Sequence, residues 1–443
     1  MAHLRALHRG FAAVLMISLP LAVLVGPRVR LPFIDAGDFR VQDFLMAGAI
    51  LYFLVLDLTQ PRAQGHPLRV RAIFWILVVG AALSLFYAVS DSGSIFQTFY
   101  TMRLFQVPII ALIVFRCLET LKWPGVKLLI ISVTVSTMIN LAWIGFQALT
   151  NNPAPLWDVN REYIFQYGPG LLGDGAPFPS GQVLVILLAG LVSTELYPPT
   201  RKTRIVALRA LLVLVILGAI ISTESRISLG SGALIVVLWF VLWVSRITRI
   251  SAPLAGMVGL LVALIAGLGI PSLPRVGLSG IESGVSERLS KFYLPVIQSL
   301  EQDFFFGLGP GAWRSANNAE HHSLYFGVFS DFGFLGLIIV LSIIFLLLRW
   351  GLREVSRSSV PMARVFAFWS VLILLNLLVS GALQDSYISA TPNHLAAIVF
   401  GMCFWLSRRG HLFPDQFSPR PSRSLLAASR ARFLAAGRAK ADH

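Results

Sequence analysis

Continuous apolar stretches of about 20 residues, the length at which a helix crosses the hydrocarbon core of a bilayer, recur along the whole chain. By that rule, spans are predicted near residues 10–26, 42–58, 72–90, 104–119, 126–149, 180–197, 206–222, 229–245, 253–270, 332–349, 365–383 and 393–407, about twelve in all. Composition agrees. Apolar types make up 56% of the 443 residues and charged types only 13%, where a soluble domain carries roughly 25% charged residues. Too few polar side chains remain to cover a water-facing surface, which excludes a soluble enzyme, a disordered chain and a disulfide scaffold. The runs are continuous rather than alternating, which excludes a β-barrel. The predicted fold class is an all-α polytopic membrane protein with about twelve transmembrane helices and a long outer loop containing surface helices. Cys117 and Cys403 sit far apart in or beside apolar runs and make neither a metal spacing nor a disulfide framework.

Lys and Arg number 36 and Asp and Glu 21, a formal charge of +15. In a soluble protein that excess would point to nucleic acid; in a membrane protein it reports sidedness, and no nucleic-acid partner is expected. One alternating set of connections holds the clustered cations: Arg5 and Arg9; Arg62, Arg69 and Arg71; Arg116, Lys122 and Lys127; Arg201, Lys202 and Arg204; Arg246 and Arg249; Arg349, Arg353, Arg357 and Arg364; Arg408 and Arg409. The positive-inside rule makes this set cytoplasmic and both termini with it. The stretch Phe11–Val25 resembles a signal peptide but lacks a clean small-x-small site after it, and reads as an uncleaved first span. Residues 1–407 form one integral domain and 408–443 a basic cytoplasmic tail. Ser422 to Lys440 fits either a basic amphipathic helix on anionic lipid or a disordered solubilising tail.

Two outer loops are long, about 150–180 and about 270–331. In the second, apolar residues at 289, 292, 293, 296, 297 and 300 have helical spacing, with Arg288 and Lys291 near the start. Arg161, Arg226 and Arg288 lie on the outer side, where cations are unusual. Each calls for an anionic partner: a lipid headgroup, a nearby Glu162, Glu224 or Glu287, or a diphosphate, for which Arg is a bidentate donor. His321 and His322 sit at a membrane boundary, where a neutral imidazole is suited to accept a proton from a hydroxyl. No third and fourth ligand stands at metal spacing, so no metal and no cofactor are expected. His394 reads as structural.

Four stretches, taken in order, resemble the O-antigen ligase and O-antigen polymerase family of bacterial envelope glycan enzymes. They are Thr223-Glu224-Ser225-Arg226-Ile227-Ser228-Leu229; Ser286-Glu287-Arg288-Leu289; Phe306-Gly307-Leu308-Gly309-Pro310-Gly311; and His322-Ser323-Leu324-Tyr325 with Asp331-Phe332-Gly333-Phe334-Leu335-Gly336. Ser323 stands where the family has Asn, and Asp331 where it has an acid. The close likeness covers 223–340. It implies a metal-independent glycosyltransferase in the bacterial inner membrane with a periplasmic site. The donor would be a glycan on undecaprenyl diphosphate and the acceptor lipid A–core or another lipid-linked glycan. Carried over by position, Arg226 and Arg288 grip the diphosphate and His322 orients or deprotonates the acceptor hydroxyl. Arg161, Arg314, His321 and Lys291 are weaker candidates for substrate contact. Trp157, Tyr163, Phe165 and Tyr167 in the first long loop fit sugar stacking or interfacial anchoring.

Other readings stay open. A transporter or flippase of lipid-linked glycan also has about twelve spans, but it carries polar groups near the midplane, whereas here Asn140 and Asn376 are exceptions in otherwise apolar spans. A metal-dependent glycosyltransferase class uses acids in the first outer loop, where Asp35 and Asp38 fall. A non-enzymatic membrane scaffold is the third. Ligase and polymerase share one donor, and the sequence does not separate them.

Overall fold

A computed structural model describes residues 2–25, 28–29, 39–59, 95–150, 177–196, 203–223, 225–248, 286, 288–301, 303–317, 323–382 and 390–410. Within them the chain is helical apart from short connections and a two-residue antiparallel pairing of β1 (Arg28–Val29) with β2 (Phe39–Arg40). The long helices are α1 (Ala2–Val25), α2 (Val41–Thr59), α3 (Ile95–Leu121), α4 (Trp123–Thr150), α5 (Pro177–Ser193), α6 (Thr203–Ser222) and α7 (Arg226–Thr248). Two short helices follow, α8 (Leu294–Ser299) and α9 (Ala312–Asn317), and then α10 (Leu324–Arg357), α11 (Pro361–Gly381) and α12 (Ala390–Arg409). Every predicted span overlaps one of these helices except those at 72–90 and 253–270, which lie outside the described residues. Among the described residues five helices are long and apolar enough to cross a membrane, ending at Val25, Thr150, Leu196, Arg357 and Gly381, and three shorter apolar helices accompany them. The protein is an all-α membrane protein. A helix closes its own hydrogen-bond ladder, which is why it survives where no water solvates the main chain.

The apolar packing of the long helices forms two main clusters. The larger joins α1, α2, α3, α4, α5, α10, α11 and α12; the smaller joins α4, α5, α6, α7 and α11. Helices α4, α5 and α11 contribute to both, so they are the seam of the bundle. Close approach relies on small residues, as expected where lipid supplies no hydrophobic drive between helices. A Cβ on Gly401 of α12 would stand 2.5 Å from the Ala111 carbonyl of α3.

Side-chain bonds fix which helix ends share a side. His8 near the start of α1 reaches the Tyr52 hydroxyl of α2 (3.2 Å) and the Thr120 hydroxyl of α3 (2.8 Å). Arg409 at the end of α12 pairs with Glu119 of α3 (3.5 Å). At the opposite end the starts of α5, α7 and α10 meet the end of α11. The end carrying Arg408 and Arg409 is the one the charge pattern assigns to the cytoplasm.

Helix α10 is 34 residues long, about 51 Å if straight, against a hydrocarbon core of about 30 Å. It starts at Leu324, inside the predicted outer loop, and it breaks at Gly333 (φ 65°, ψ −166°). The break frees the N–H groups of Phe334 and Leu335 and the carbonyls of Ser330 and Asp331, which an unbroken helix would pair. The Gly-rich stretch takes them up. Phe334 and Leu335 donate to the Phe304 and Phe305 carbonyls (2.9 and 3.3 Å), while Leu308 and Gly309 donate to Ser330 and Asp331 (2.7 and 3.2 Å). A Cβ on Gly333 would lie 2.4 Å from the Phe305 carbonyl, and one on Gly307 would lie 2.5 Å from the Gly333 nitrogen. Two of the four stretches singled out in the sequence are therefore halves of one spliced unit.

Candidate functional site

The first turn of α7 carries Arg226. Ser225 caps it: its Oγ accepts from the Ser228 N–H (3.3 Å) and donates to Ser228 Oγ (2.8 Å). Gln182 of α5 donates to Ser228 Oγ (3.3 Å), and Asn376 of α11 donates to Gln182 Oε1 (2.6 Å). All four side chains are buried. Gly181 permits this approach, since a Cβ there would stand 2.4 Å from Ser228 Oγ. Depth and phase of the first turn of α7 are thus set by α5 and α11. A cation at a helix N-terminus opposes the macrodipole, so Arg226 does not serve helix stability. The side chain of Arg226 lies outside the described residues.

Arg288 precedes a π-helical turn, Leu289–Tyr293, that runs directly into α8. Arg288 is half-buried and Lys291 exposed. The predicted amphipathic segment exists in modified form. Val296 and Leu300 are buried with Trp313, and Phe292 packs on them, while Leu289 and Ile297 remain exposed. The extra residue of the π turn rotates the face presented. It aims Tyr293 onto Phe326 of α10, with ring centroids 4.3 Å apart and planes at 11°, and the Tyr293 hydroxyl donates to the Ala382 carbonyl (3.3 Å).

Ser323, the residue after His322, caps α10. Its Oγ accepts from the Phe326 N–H (3.4 Å) and donates to the Gly381 carbonyl (3.2 Å). Ser and Asn are both strong N-caps, and Ser323 fills that role for α10. Tyr325 donates to the Leu378 carbonyl (2.6 Å), and a Cβ on Gly381 would meet Leu324 at 2.8 Å. Buried Asp331 accepts from the Gly311 N–H (3.0 Å) at the head of α9. Its carboxylate holds the spliced unit.

The C-terminal end of α11 is therefore a common anchor. The turn bearing Arg226 is tied to Asn376, the segment after Arg288 to Ala382, and the residue after His322 to Gly381. Arg314 belongs to α9, where Trp313 is buried and Asn317 Nδ2 donates to the Trp313 carbonyl (2.9 Å). The Arg314 side chain, and all of Arg161, His321, His322, Asp35, Asp38, the aromatic residues at 157–167 and the tail from 411, lie outside the described residues. Among the described residues no three His, Cys, Asp or Glu side chains gather as a metal site, and Cys117 and Cys403 are buried thiols.

One polar cluster escaped the sequence reading. His394 of α12 sits between Gln42 (Nε2 to Nδ1, 2.8 Å) and Gln106 (Oε1 to Nε2, 2.8 Å), and Gln106 donates to Asp43 (3.2 Å). Asp43 accepts from the Arg40 N–H (2.9 Å), and the Arg40 guanidinium donates to Thr391. This chain knits the starts of α2 and α12 to α3. Arg40 was findable, as a cation in the connection between the first two predicted spans. Compared with protein-family models and with curated proteins, the chain matches none.

Proposed function

We propose that the chain is an inner-membrane glycosyltransferase that moves a glycan from undecaprenyl diphosphate to an acceptor sugar hydroxyl on the periplasmic face, as an O-antigen ligase or an O-antigen or exopolysaccharide polymerase. The observation that carries the reading is the common anchor. Three stretches distant in sequence, each next to a residue that the resemblance makes functional, attach to one end of α11. In the proposed reaction the acceptor oxygen bonds to the anomeric carbon, the bond from that carbon to the phosphate oxygen breaks, and the polyprenyl diphosphate departs. Arg226 and Arg288 neutralise the charge growing on the diphosphate, and His322 takes the hydroxyl proton. Arg161, Arg314, His321 and Lys291 contact the glycan or its carrier.

The twelve crossings and the periplasmic site belong to the same proposal. Their support is directional. Helices α2 and α3 run parallel, since Asp43 meets Gln106 near one end while Tyr52 and Thr120 both meet His8 near the other. Thr59, which ends α2, and Ile95, which begins α3, therefore lie toward opposite ends of the bundle. Thr248 likewise ends α7 away from the Arg288 segment.

The test is glycan analysis of a deletion host complemented with Arg226→Ala, Arg288→Ala or His322→Ala. Each variant is expected to insert normally and to lose transfer by about 10²–10³-fold, the loss seen when one charge-stabilising donor is removed. Accumulated long lipid-linked chains in the deletion host mean ligase, and single-repeat products mean polymerase. Normal glycan from the triple variant ends the proposal. Accumulation of glycan in vesicles without a new glycosidic bond would mean a flippase instead.

A further inference from the structure

Phe304, Phe305 and Phe306 are consecutive and 45%, 58% and 69% exposed. Three phenyl rings this exposed on a water-facing turn are an aggregation liability. Three carbonyls of this turn are paired within the protein. The Asp303 carbonyl accepts from Gly307 (2.8 Å), and the Phe304 and Phe305 carbonyls accept from Phe334 and Leu335 at the break of α10. A non-helical segment with its carbonyls closed in this way is compatible with a lipid environment. The turn is also continuous with a face that already meets lipid. Phe304 stacks on Phe334 (5.5 Å, 26°), and exposed Phe334, Leu335, Ile338 and Ile339 carry the surface down the membrane-spanning part of α10. On the neighbouring segment Leu289, Leu294 and Ile297 are exposed as well, beside Arg288 and Lys291.

The depth follows from α11. Its 21 residues rise about 31 Å, the thickness of the hydrocarbon core, so its end at Gly381, which packs on Leu324 of α10, marks one face of that core. The break at Gly333 is nine residues from Leu324, so the turn spliced onto it belongs to the same boundary and not to mid-bilayer.

We propose that the Phe304–Phe306 turn is seated in the bilayer at the outer-leaflet boundary, its rings among the upper acyl chains and the cations of the Arg288–Lys291 turn at the level of the lipid phosphates. This assignment needs only a membrane protein and is independent of the glycosyl-transfer reading.

Phe306→Cys, labelled with an environment-sensitive fluorophore, tests it in the full chain reconstituted in phosphatidylcholine–phosphatidylglycerol vesicles. The unsubstituted chain, whose two thiols are buried, gives the labelling background. The expected result is blue-shifted emission that is lost more to spin-labelled lipid carrying its quencher near the headgroup than to lipid carrying it near the chain end. Phe305→Cys repeats the measurement where Phe306→Cys does not fold. Water-like emission untouched by either lipid overturns the proposal, and so does greater loss to the deep quencher. Loss that depends on the fraction of labelled copies, and not on labelled lipid, assigns the rings to a second copy and likewise overturns it.

Discussion

At Gly333 two demands meet that no other residue satisfies together. The backbone is left-handed, and the space a Cβ would take is filled by the Phe305 carbonyl at 2.4 Å. Gly333→Ala therefore carries the strain of an unfavourable conformation, about 1–3 kcal/mol, and also forces apart the hydrogen bonds that splice the Phe304–Gly309 turn into α10. Gly145, in the interior of α4, has nothing within 4 Å of its would-be Cβ. Gly145→Ala should leave stability unchanged or raise it by up to about 1 kcal/mol, the propensity gain of Ala in a helix. Thermal unfolding midpoints of the two variants in detergent check the contrast, and equal midpoints would mean that the splice is not what holds α10 bent. Glycines at 307, 309, 311 and 333 were visible in the sequence. Their pairing was not, because two strips of backbone that exchange hydrogen bonds about 25 residues apart leave no side-chain periodicity.

At the scale of elements, the buried relay Asn376–Gln182–Ser228–Ser225 couples α11, α5 and α7 in a place where water cannot substitute for a lost partner. Asn376→Leu or Gln182→Leu alone should each cost about 0.6–1.7 kcal/mol, the range measured for hydrogen bonds between membrane helices. The double variant should cost less than the sum, because each single change strands the partner that the other removes. Full additivity in a double-mutant cycle would show the two amides acting independently. Asn376 stood out in the sequence as a polar residue in an apolar span; its role did not, since nothing in the local pattern names a partner 194 residues away. The long helices were legible because burial in lipid writes itself into composition. The π turn before α8 was not, because one extra residue in five shifts the face without changing which residue types are apolar. The Arg288 segment was read as a regular surface helix for that reason.

For the molecule as a whole, direction is the property that joins sequence to structure. The alternation of cation-rich and cation-poor connections assigns each helix a sense across the membrane, and the hydrogen bonds give each helix a sense relative to its neighbours. The two agree wherever both are available: α2, α3 and α12 run one way, and α11 runs opposite to α7 and α10. The hydrogen bonds alone do not say which side faces the periplasm; the charge pattern supplies that expectation. The prediction is that Ser290→Cys, exposed beside Arg288, reacts with a membrane-impermeant maleimide in intact spheroplasts. Ser359→Cys, exposed between Arg357 and Arg364, should react only after permeabilisation. The positive-inside rule supplies the sign, because four of the arginines cluster around Ser359. Both sites labelling from outside would require an even number of crossings between them, where the one crossing by α10 puts them at opposite ends. Reversal of the pair would put the anchor around α11 on the cytoplasmic side. No acceptor exported to the periplasm reaches that side, so reversal would remove the glycosyl-transfer proposal while leaving the bundle itself intact.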